Sequence, residues 1–383
     1  MLDNLKQKFT EFFGQSSQNV FFAPGRVNLI GEHIDYNGGL VMPCAITLGT
    51  YLLTAPNQKG VFRFRSTSFD DTFEIPLQNS YKKIGNEWYN YPLGVIHYFL
   101  QEGKKLEGLD FLYHGNLPIG SSLSSSASIE VVTATALNTL FSANIAKLDL
   151  VKLTKKVENE FVGVNSGIMD QFAVAFGEKD KALKLDCNSL EYQAVECDLG
   201  DHYLAIINTN KPRKLTDSKY NERVSECQTA LKALQKELKI TNLCDIHTDT
   251  LKKHQSLIQD EVVLKRATHV VEENDRVLRA AEALQQNQLA EFGKLMFASH
   301  HSLRDLYEVS GKELDTIVEF CEQYPAITGA RMTGAGFGGC AIALVKKESF
   351  DDFSEKIIEY YTSKIGYAPS VYRSEIGTGA IEL

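Results

Sequence analysis

The sequence predicts an α+β protein with two domains, and three observations support this class. The chain has 383 residues, which is enough to bury a sizeable core and is typical of two domains. Short apolar runs bounded by polar residues, such as 340–345, are typical of buried strands. Longer stretches near 216–239 and 261–285 predict helices, and the second carries an approximate apolar stripe at helical spacing.

Most of the predicted strands lie in the first half of the chain, and the longest helices lie in the second. The predicted strands are near 19–23, 40–54, 61–75, 109–115, 182–186, 191–197, 203–207, 340–345 and 369–374. The predicted helices of the first half are near 92–102, 123–141 and 148–161. This order indicates domains of residues 1–195 and 196–383, and we expect a ligand cleft between them.

Composition excludes several functional classes. The formal net charge of −9 argues against nonspecific binding to nucleic acid and against binding to anionic membranes. The seven cysteines are scattered and include no C-x-x-C pair, which favours reduced thiols over disulfides or zinc. The chain opens with a polar amphipathic helix, and no apolar run is long enough to span a bilayer. We therefore expect a cytoplasmic enzyme with no membrane partner.

A glycine-dense segment at 332–340 requires interpretation from its context. Gly334, Gly336 and Gly339 fit the loose dinucleotide spacing G-x-G-x-x-G. That fingerprint should open a helix, whereas here the apolar strand 340–345 follows, so a dinucleotide site is excluded. The segment is then either a tight structural turn or a loop that lets backbone approach a ligand closely.

A second segment, 118–128, is rich in serine and precedes the predicted helix 123–141. Free backbone N–H groups and the helix dipole favour an anion at such an N-terminus. Serine hydroxyls can add donors to phosphate oxygens or ligate a hard cation. A simple N-cap is the alternative, but one serine would suffice for it. The chain contains no P-loop motif and no protein-kinase signature.

A third segment, 23–39, places Arg26, Glu32, His33 and Asp35 close together in a loop-rich stretch after an apolar strand. Two carboxylates, an imidazole and a neutral amide together can donate and accept hydrogen bonds, which suits a polyhydroxylated ligand. A solvated loop with ordinary surface charges is the alternative. The apolar flanks and the nearby glycines weaken that alternative.

These three segments resemble the three motifs of the GHMP small-molecule kinases, and residues 24–39 resemble the galactokinase signature specifically. The resemblance covers nearly the whole chain. Further matches are found at 88–91, 167–171, 218–221, 273–277 and 299–304. The resemblance implies a ribosomal S5 domain 2-like N-terminal half and a ferredoxin-like C-terminal half, with the active site in the cleft between them.

The resemblance also implies a reaction and its catalytic residues. A galactokinase transfers the γ-phosphoryl group of ATP to the C1 hydroxyl of α-D-galactose, giving galactose 1-phosphate and ADP at the first committed step of the Leloir pathway. Asp170 matches the catalytic base, and its alternative role is a helix cap. Arg26 matches the arginine that faces this base and stabilises the transition state, and its alternative is a surface salt bridge.

Further binding residues follow from the same resemblance. The implied sugar-binding residues are Glu32, His33, Asp35 and Tyr220. Ser126 and Glu158 match the Mg²⁺ ligands, with Glu160 rejected as a neighbouring decoy. The implied nucleotide-binding residues are Ser66, Gly120, Ser121, Ser122, Leu123, Ser124, Ser125 and Ser126. Ser122 departs from the family pattern, which usually has glycine there, and serine adds backbone strain if φ is positive.

The expected partners are galactose and ATP, and the expected cofactor is Mg²⁺. We expect a monomer, with a weak dimer as the alternative. Two rival functions remain. The first is a GHMP kinase for another galactose-like sugar, such as N-acetylgalactosamine or galacturonate. The second is a catalytically silent sensor that binds galactose and ATP to regulate a transcriptional partner, although Asp170, Arg26 and the serine run are intact.

Overall fold

The structure is a computed structural model, and it describes residues 1–69, 71–118, 123–164, 166–211 and 216–383. Within these ranges the chain alternates short strands with helices along most of its length. The helices are α1 (Leu2–Phe13), α2 (Asn90–Gln101), α3 (Ser125–Leu140), α4 (Lys147–Lys156), α5 (Met169–Phe176), α6 (Thr216–Leu234), α7 (Thr248–His254), α8 (Glu261–Gln285), α9 (Leu289–Ser302), α10 (Lys312–Gln323) and α11 (Phe350–Ile365). Short π-helical turns, Val157–Val162 and Leu303–Tyr307, extend α4 and α9.

The strands are β1 (Asn19–Asn28), β2 (Leu40–Val41), β3 (Pro43–Pro56), β4 (Val61–Ser66), β5 (Phe73–Pro76), β6 (Leu109–Gly115), β7 (Lys181–Asp186), β8 (Tyr192–Glu196), β9 (His202–Asn208), β10 (Ile327–Thr333), β11 (Cys340–Lys346), β12 (Ser370–Ser374) and β13 (Ile381–Glu382). They form a six-stranded sheet in the order β13-β1-β3-β6-β4-β5, a four-stranded sheet β10-β11-β9-β12 and a three-stranded sheet β2-β7-β8. The mixture of sheets and helices predicted from the sequence is therefore confirmed.

The six-stranded sheet supports the helices of the first half. Helices α3 and α5 pack on β1 and β3, and α2 and α4 pack on α3. The buried face of α3 is built from small or β-branched residues, including Ala127, Val131 and Ala134. Small side chains let the helix approach the sheet closely, so the N-terminus of α3 is held firmly beside the end of β1.

The four-stranded antiparallel sheet is the centre of the second half. Strands β9 and β11 pair in register along their whole length and are almost entirely apolar and buried, because helices cover this sheet. Helix α9 lies unusually close to β10, since a Cβ atom added at Gly293 would meet the carbonyl oxygen of Thr328 at 2.0 Å. Glycine is required there by the packing rather than by a turn.

The segment that follows the middle of β1 connects the two halves. Val27, Leu29, Ile30 and Ile34 are fully buried, and they belong to the same apolar cluster as the second sheet and its helices. The last strand, β13, returns in the other direction and pairs with β1 of the first sheet. The third motif and the first motif are therefore brought together by packing, while the domain boundary near 195 remains a prediction.

The boundaries of individual elements differ from the predictions in instructive ways. The predicted strand near 61–75 is two antiparallel strands, β4 and β5, and the predicted helix near 148–161 changes to a π-helical turn after Lys156. Helices α9, α10 and α11 and strand β10 were not assigned from the sequence. Within the described ranges, no helix is both long enough and apolar enough to cross a membrane.

Candidate active site

Arg26 enters the site at an irregularity in the first sheet. The pairing of β1 with β3 shifts register between Pro24 and Arg26, which marks a β-bulge. Bulges bend a strand and redirect its side chains. The backbone N–H of Arg26 leaves the regular ladder and donates to the carbonyl oxygen of Leu123 at 3.2 Å. This contact joins the first motif to the serine-rich second motif, and the Arg26 side chain is buried.

The Arg26 guanidinium is paired with the carboxylate of Asp170, which lies in the first turn of α5. The Nε atom donates to Oδ1 at 2.8 Å, and Nη2 donates to Oδ2 at 2.7 Å. The Ser124 hydroxyl also donates to Oδ2, at 2.5 Å. Such charge-assisted donors stabilise the ionised carboxylate. The Asp170 side chain is still 26% exposed, so it remains open to a ligand.

A cavity of about 230 Å³ opens beside this pair. The polar groups on its walls come from the first motif, the start of α5, helix α6 and the glycine-rich loop. The structure thus brings together every sugar-binding and catalytic residue predicted from the sequence: Arg26, Glu32, His33, Asp35, Asp170 and Tyr220. A small cavity that gathers several charged and hydrogen-bonding side chains suits a hydroxylated ligand of low molecular weight.

Among the described residues, Asp35 has no cation to balance its charge in the way that Asp170 has Arg26. Its carboxylate faces the segment before α5, since a Cβ atom added at Gly167 would meet Oδ2 at 3.4 Å. Removal from water, and then the nearby carboxylate of Glu32, raise the pKa of Asp35 from 3.8 to about 6. An under-compensated carboxylate on a cavity wall is well suited to accept hydrogen bonds from ligand hydroxyls.

Glu32 lines the same cavity and also links the first motif, residues 23–39, to the glycine-rich third motif, residues 332–340. One of its oxygens accepts a hydrogen bond from the backbone N–H of Gly334 at 2.7 Å and another from the Thr333 hydroxyl at 3.2 Å. Arg331, which is fully buried, approaches the same oxygen at 3.4 Å. Glu32 therefore holds the start of the glycine-rich loop in place beside the cavity.

Glu158 belongs to a second polar cluster, which also includes residues of α3 and α5. It is buried in the π-helical turn, and one of its oxygens accepts hydrogen bonds from Ser166 at 2.7 Å and from Gln171 at 2.6 Å. The Gln171 amide also approaches the carboxylate of Glu130 on α3, at 3.5 Å. Burial, and then the charge of Glu158, raise the pKa of Glu130 well above its usual value.

This cluster fits a hard divalent cation on chemical grounds. Glu130 and Gln171 each bury one side-chain oxygen that has no hydrogen-bond partner among the described residues, and two carboxylates share the region. A cation would offset that excess of negative charge, and carboxylate and hydroxyl oxygens are the donors that Mg²⁺ prefers. Ser126, half-buried in the first turn of α3, is the predicted second ligand. In the described ranges, no three His, Cys, Asp or Glu side chains form an all-protein cage.

The predicted nucleotide-binding residues divide into three groups. Gly120, Ser121 and Ser122 lie outside the described residues. The backbone φ of Ser122, on which the strain predicted for serine depends, therefore stays a prediction. Leu123 is buried, Ser125 is exposed, and Ser124 has left-handed backbone dihedrals with its hydroxyl on Asp170. Ser66 is buried at the end of β4, where its hydroxyl accepts a hydrogen bond from the backbone N–H of Ser68 at 3.1 Å.

The structure adds site residues to which the sequence analysis gave no role. Gln171 was quoted within a motif, and Glu130 is one charge in an apolar helix, so only the fold shows that both approach Glu158. Near Ser66, the indole of Trp88 stacks against Phe69 with centroids 6.1 Å apart and meets Tyr113 edge-on at 5.5 Å. The partial exposure of this aromatic surface at the end of β4 is a signal that the sequence alone did not give.

Comparisons with known proteins agree with this geometry. The family model for the galactokinase galactose-binding signature matches residues 7–56, and models for the GHMP kinase N-terminal and C-terminal domains match 90–178 and 280–363. A galactokinase from Clostridium tetani is 50% identical over all of this chain and 98% of its own length. A galactokinase from Lactiplantibacillus plantarum is 50% identical over 99% of each chain.

Solved structures give the same result. The crystal structure of Lactococcus lactis galactokinase complexed with galactose superposes with a TM-score of 0.92 at 45% identity, covering 100% of both chains. The Methanococcus jannaschii mevalonate kinase, at 22% identity, shares the fold with a TM-score of 0.70 over 95% of this chain and 99% of its own. The fold and the arrangement of motifs are those of a GHMP kinase, a class of ATP-dependent small-molecule kinases.

Within that class, the chain belongs to the galactokinase family. It is therefore an ATP-dependent sugar kinase, and the two-domain GHMP fold expected from the sequence is confirmed.

Proposed function

We propose that this protein transfers the γ-phosphoryl group of Mg-ATP to the C1 hydroxyl of α-D-galactose, with Asp170 as the base and Arg26 as the stabiliser of the transition state. The observation that supports this proposal most strongly is the Asp170–Arg26 pair on the wall of the cavity, next to the N-terminus of α3. Family membership and the galactose complex of the Lactococcus lactis relative support galactose as the acceptor.

Asp170 would receive the proton that the sugar hydroxyl loses. In the proposed step, the C1 oxygen forms a bond to the γ-phosphorus while the bond from that phosphorus to the β,γ-bridging oxygen breaks and ADP leaves. The hydroxyl proton passes to the Asp170 carboxylate. Arg26 holds that carboxylate through two hydrogen bonds and places positive charge where the phosphoryl group develops negative charge.

The sugar would lie against the first motif and α6. Asp35 is proposed to accept hydrogen bonds from adjacent ring hydroxyls, because its carboxylate has a raised pKa and no cationic partner in the part of the chain that the structure describes. His33 and Tyr220 supply a ring surface for the same cavity, with ring centroids 5.6 Å apart. Glu32, whose carboxylate also holds the Gly334 backbone, would contact the sugar from the side of the glycine-rich loop.

The nucleotide would lie at the N-terminus of α3, with its base towards the end of β4. Helix N–H groups and the serine hydroxyls favour phosphate oxygens, so we retain Gly120, Ser121, Ser122, Leu123, Ser125 and Ser126 as phosphate contacts. Ser124 we assign to orienting Asp170 as well. Ser66 and the aromatic surface of Trp88 and Phe69 suit the edge and face of a base.

Mg²⁺ held by Ser126 and Glu158 would neutralise charge on the β- and γ-phosphates of the nucleotide. Ser166 and Gln171 orient the Glu158 carboxylate for that purpose through their two short hydrogen bonds. We also propose that the protein acts in the cytoplasm as a monomer. Its seven cysteines, all of which the structure describes, are free thiols, which is usual for a cytoplasmic protein.

Release of ADP from Mg-ATP in the presence of different acceptors tests this function. The panel is galactose, glucose, N-acetylgalactosamine, galacturonate and mevalonate, each at the same concentration. We expect turnover on galactose far above turnover on the others. Preferred turnover of N-acetylgalactosamine or galacturonate would replace the proposed acceptor. Galactose binding without ADP release would contradict the assignment of Asp170 as a working base and favour a sensor.

A further inference from the structure

His33 is held in a conformation that its sequence context does not explain. Its backbone φ is 62°, a left-handed value that is uncommon for a residue with a side chain. Its imidazole is buried and makes two hydrogen bonds: Nε2 lies 3.1 Å from the carbonyl oxygen of Ala335, and Nδ1 lies 2.9 Å from the Tyr36 hydroxyl. Strained residues of this kind persist where the surrounding contacts fix them.

The two contacts determine which ring nitrogen carries the proton. A carbonyl oxygen can only accept, so Nε2 must donate to Ala335. Burial, which lowers the pKa of His33 to about 4, keeps the ring neutral near neutral pH. Nδ1 therefore carries a lone pair and accepts the proton of the Tyr36 hydroxyl. His33 is thus the Nε2–H tautomer, and Tyr36 is the donor that completes it.

The same reasoning sets the direction of a longer chain of hydrogen bonds. Because the Tyr36 hydroxyl proton is used on His33, its oxygen accepts from the Tyr307 hydroxyl at 2.8 Å. The Tyr307 oxygen in turn accepts from the thiol of Cys227 at 3.1 Å. Each group therefore donates towards His33, from Cys227 on α6 to the Ala335 carbonyl of the glycine-rich loop.

This chain ends on the helix that supplies Tyr220. Arg223, one turn after Tyr220, donates from Nε to the carbonyl oxygen of Tyr307 at 2.8 Å, which fixes the start of α6 against the same tyrosine. The Tyr220 ring lies edge-on to Tyr36 at 5.4 Å and tilted to His33 at 5.6 Å. Two walls of the sugar cavity are thus joined through the Tyr36 hydroxyl.

We propose that Tyr36 is a positioning residue that acts through His33. By donating to Nδ1 it holds the imidazole in the Nε2–H tautomer, which ties Ala335 of the glycine-rich loop to the sugar end of the cavity. The inference rests on the proposed sugar site. Without the Tyr36 hydroxyl, Nδ1 would be a buried acceptor with no donor among the described residues. Rotation of the ring or a change of tautomer would then be favoured.

The direct test is ¹⁵N NMR of the full chain labelled at its nine histidines, with His33 assigned by the His33→Gln variant. We expect His33 in the wild type to show a protonated Nε2 and a hydrogen-bonded, unprotonated Nδ1. In Tyr36→Phe the Nδ1 signal should move, through loss of that hydrogen bond or change of tautomer. An unchanged His33 spectrum in this variant, or a protonated Nδ1 in the wild type, overturns the inference.

Galactose binding and kinetics in the same variants test the positioning role. In Tyr36→Phe we expect the Kd and KM for galactose to rise roughly three- to tenfold, as for loss of one buried hydrogen bond. The KM for ATP and kcat should change less than about twofold, because the hydroxyl is argued to act only on the sugar end. Tyr307→Phe, which leaves the Tyr36–His33 contact in place, should have a smaller effect on galactose and keep the tautomer.

Tyr361→Phe is the matched control. Tyr361 lies on α11, and its hydroxyl donates to the carbonyl oxygen of Thr209 at 2.8 Å. The variant therefore removes a buried tyrosine hydrogen bond of similar length. Galactose affinity should stay at the wild-type value in this variant. A moved Nδ1 signal with unchanged galactose affinity in Tyr36→Phe would overturn the positioning role. If the wild type fails to phosphorylate galactose, the proposed function fails, while NMR and galactose titration still decide the role of Tyr36.

Discussion

Two fully buried glutamates, Glu273 on α8 and Glu130 on α3, are in opposite electrostatic states. Burial alone would raise the pKa of either carboxyl group. The neighbouring Arg276, together with His269 and Arg331, overcomes this effect for Glu273 and lowers its pKa to about 2. Glu130 has Glu158 as its charged neighbour, so its pKa rises well above the usual value.

The surroundings of Glu273 are those of a structural joint. One oxygen accepts from the backbone N–H of Gly31 at 3.0 Å and from the Ser299 hydroxyl at 2.6 Å, and the other accepts from Arg276 at 2.7 Å. Gly31 has a φ of 97°, and a Cβ atom there would meet the carbonyl oxygen of Leu40 at 2.7 Å. Glu273 therefore fixes the turn that presents Glu32 and His33 to the cavity.

Glu130 occupies a region where negative charge exceeds positive charge. Its only hydrogen-bond donor within the described residues is the Gln171 amide at 3.5 Å, and its second oxygen has no partner there. Structural carboxylates are satisfied by the protein itself, whereas an unbalanced group points to a charge that a ligand brings. The comparison separates the groups that hold the fold from those that we propose are arranged for Mg-ATP.

The largest expected effect follows from removing charge at each glutamate in turn. Glu273→Gln removes the fully buried anion that pairs with Arg276 at 2.7 Å and should destabilise the protein by about 3–5 kcal/mol. Glu130→Gln removes a carboxyl group whose charged form is disfavoured by burial and by Glu158, and it should change stability by less than about 1 kcal/mol. Urea unfolding midpoints of the two variants measure the difference. Equal losses would break the comparison.

Asp35 extends the comparison. Like that of Glu130, its carboxylate has no cation beside it among the described residues, but it faces the proposed sugar site. Asp35→Asn should weaken galactose binding by about 10- to 100-fold, as for loss of hydrogen bonds to a charged acceptor. The same change should stabilise the folded protein by about 1 kcal/mol at pH 7, since the ionised form is disfavoured by burial. Calorimetric titration and thermal unfolding check the two effects. A variant that binds galactose normally would contradict the proposed role.

The pH dependence of galactose affinity gives a smaller but specific signal. The folded-state pKa of Asp35 is raised to about 6, so the carboxylate is ionised above this pH and protonated below it. Galactose binding should therefore weaken as the pH falls through about 6, by at most about tenfold per pH unit. Titration with galactose in the absence of nucleotide, from pH 7.5 to 5, measures the effect. Asp35→Asn serves as the control and should show a flatter profile.

Ser124 is expected to give the smallest change. Ser124→Ala removes the hydroxyl that donates to Asp170. Alanine still has a Cβ atom, so the strain of the left-handed backbone at this position stays. We expect kcat to fall roughly three- to tenfold, as for one hydrogen bond to a charged group. Ser124→Gly, which also relieves the backbone strain, separates the two contributions. Steady-state ADP release measures both variants. A Ser124→Ala variant with wild-type kcat would show that this hydrogen bond does not orient the base.

The sequence predicted the residues of the cavity better than it predicted their contacts. Contiguous motifs were enough to group Arg26, Glu32, His33 and Asp35, because they lie close together in one short segment of the sequence. The contact between Glu32 and Gly334 joins positions 302 residues apart, and no periodicity encodes such a pairing. Glu130 gave no signal for the same reason, since its neighbour Glu158 comes from another helix of the fold.

The fold shows the same division between local and distant information. Strands β9 and β11 were predicted from their apolar runs, which alone report burial. Strand β10 was missed because Gly329, Arg331 and Thr333 interrupt its apolar pattern. Arg331 is nevertheless fully buried, where it contacts Glu32 and the carbonyl oxygen of Asn28. Its burial depends on partners from the other half of the chain.

The most direct test of the central claim is the turnover of Asp170→Asn on galactose, measured as ADP release beside galactose binding in the same preparation. This variant keeps the shape of the side chain but removes its charge and most of its basicity. We predict that galactose still binds while kcat falls by about 10²- to 10⁴-fold, the usual contribution of a general base. Turnover within about fivefold of the wild type would contradict the assignment of Asp170 as the base.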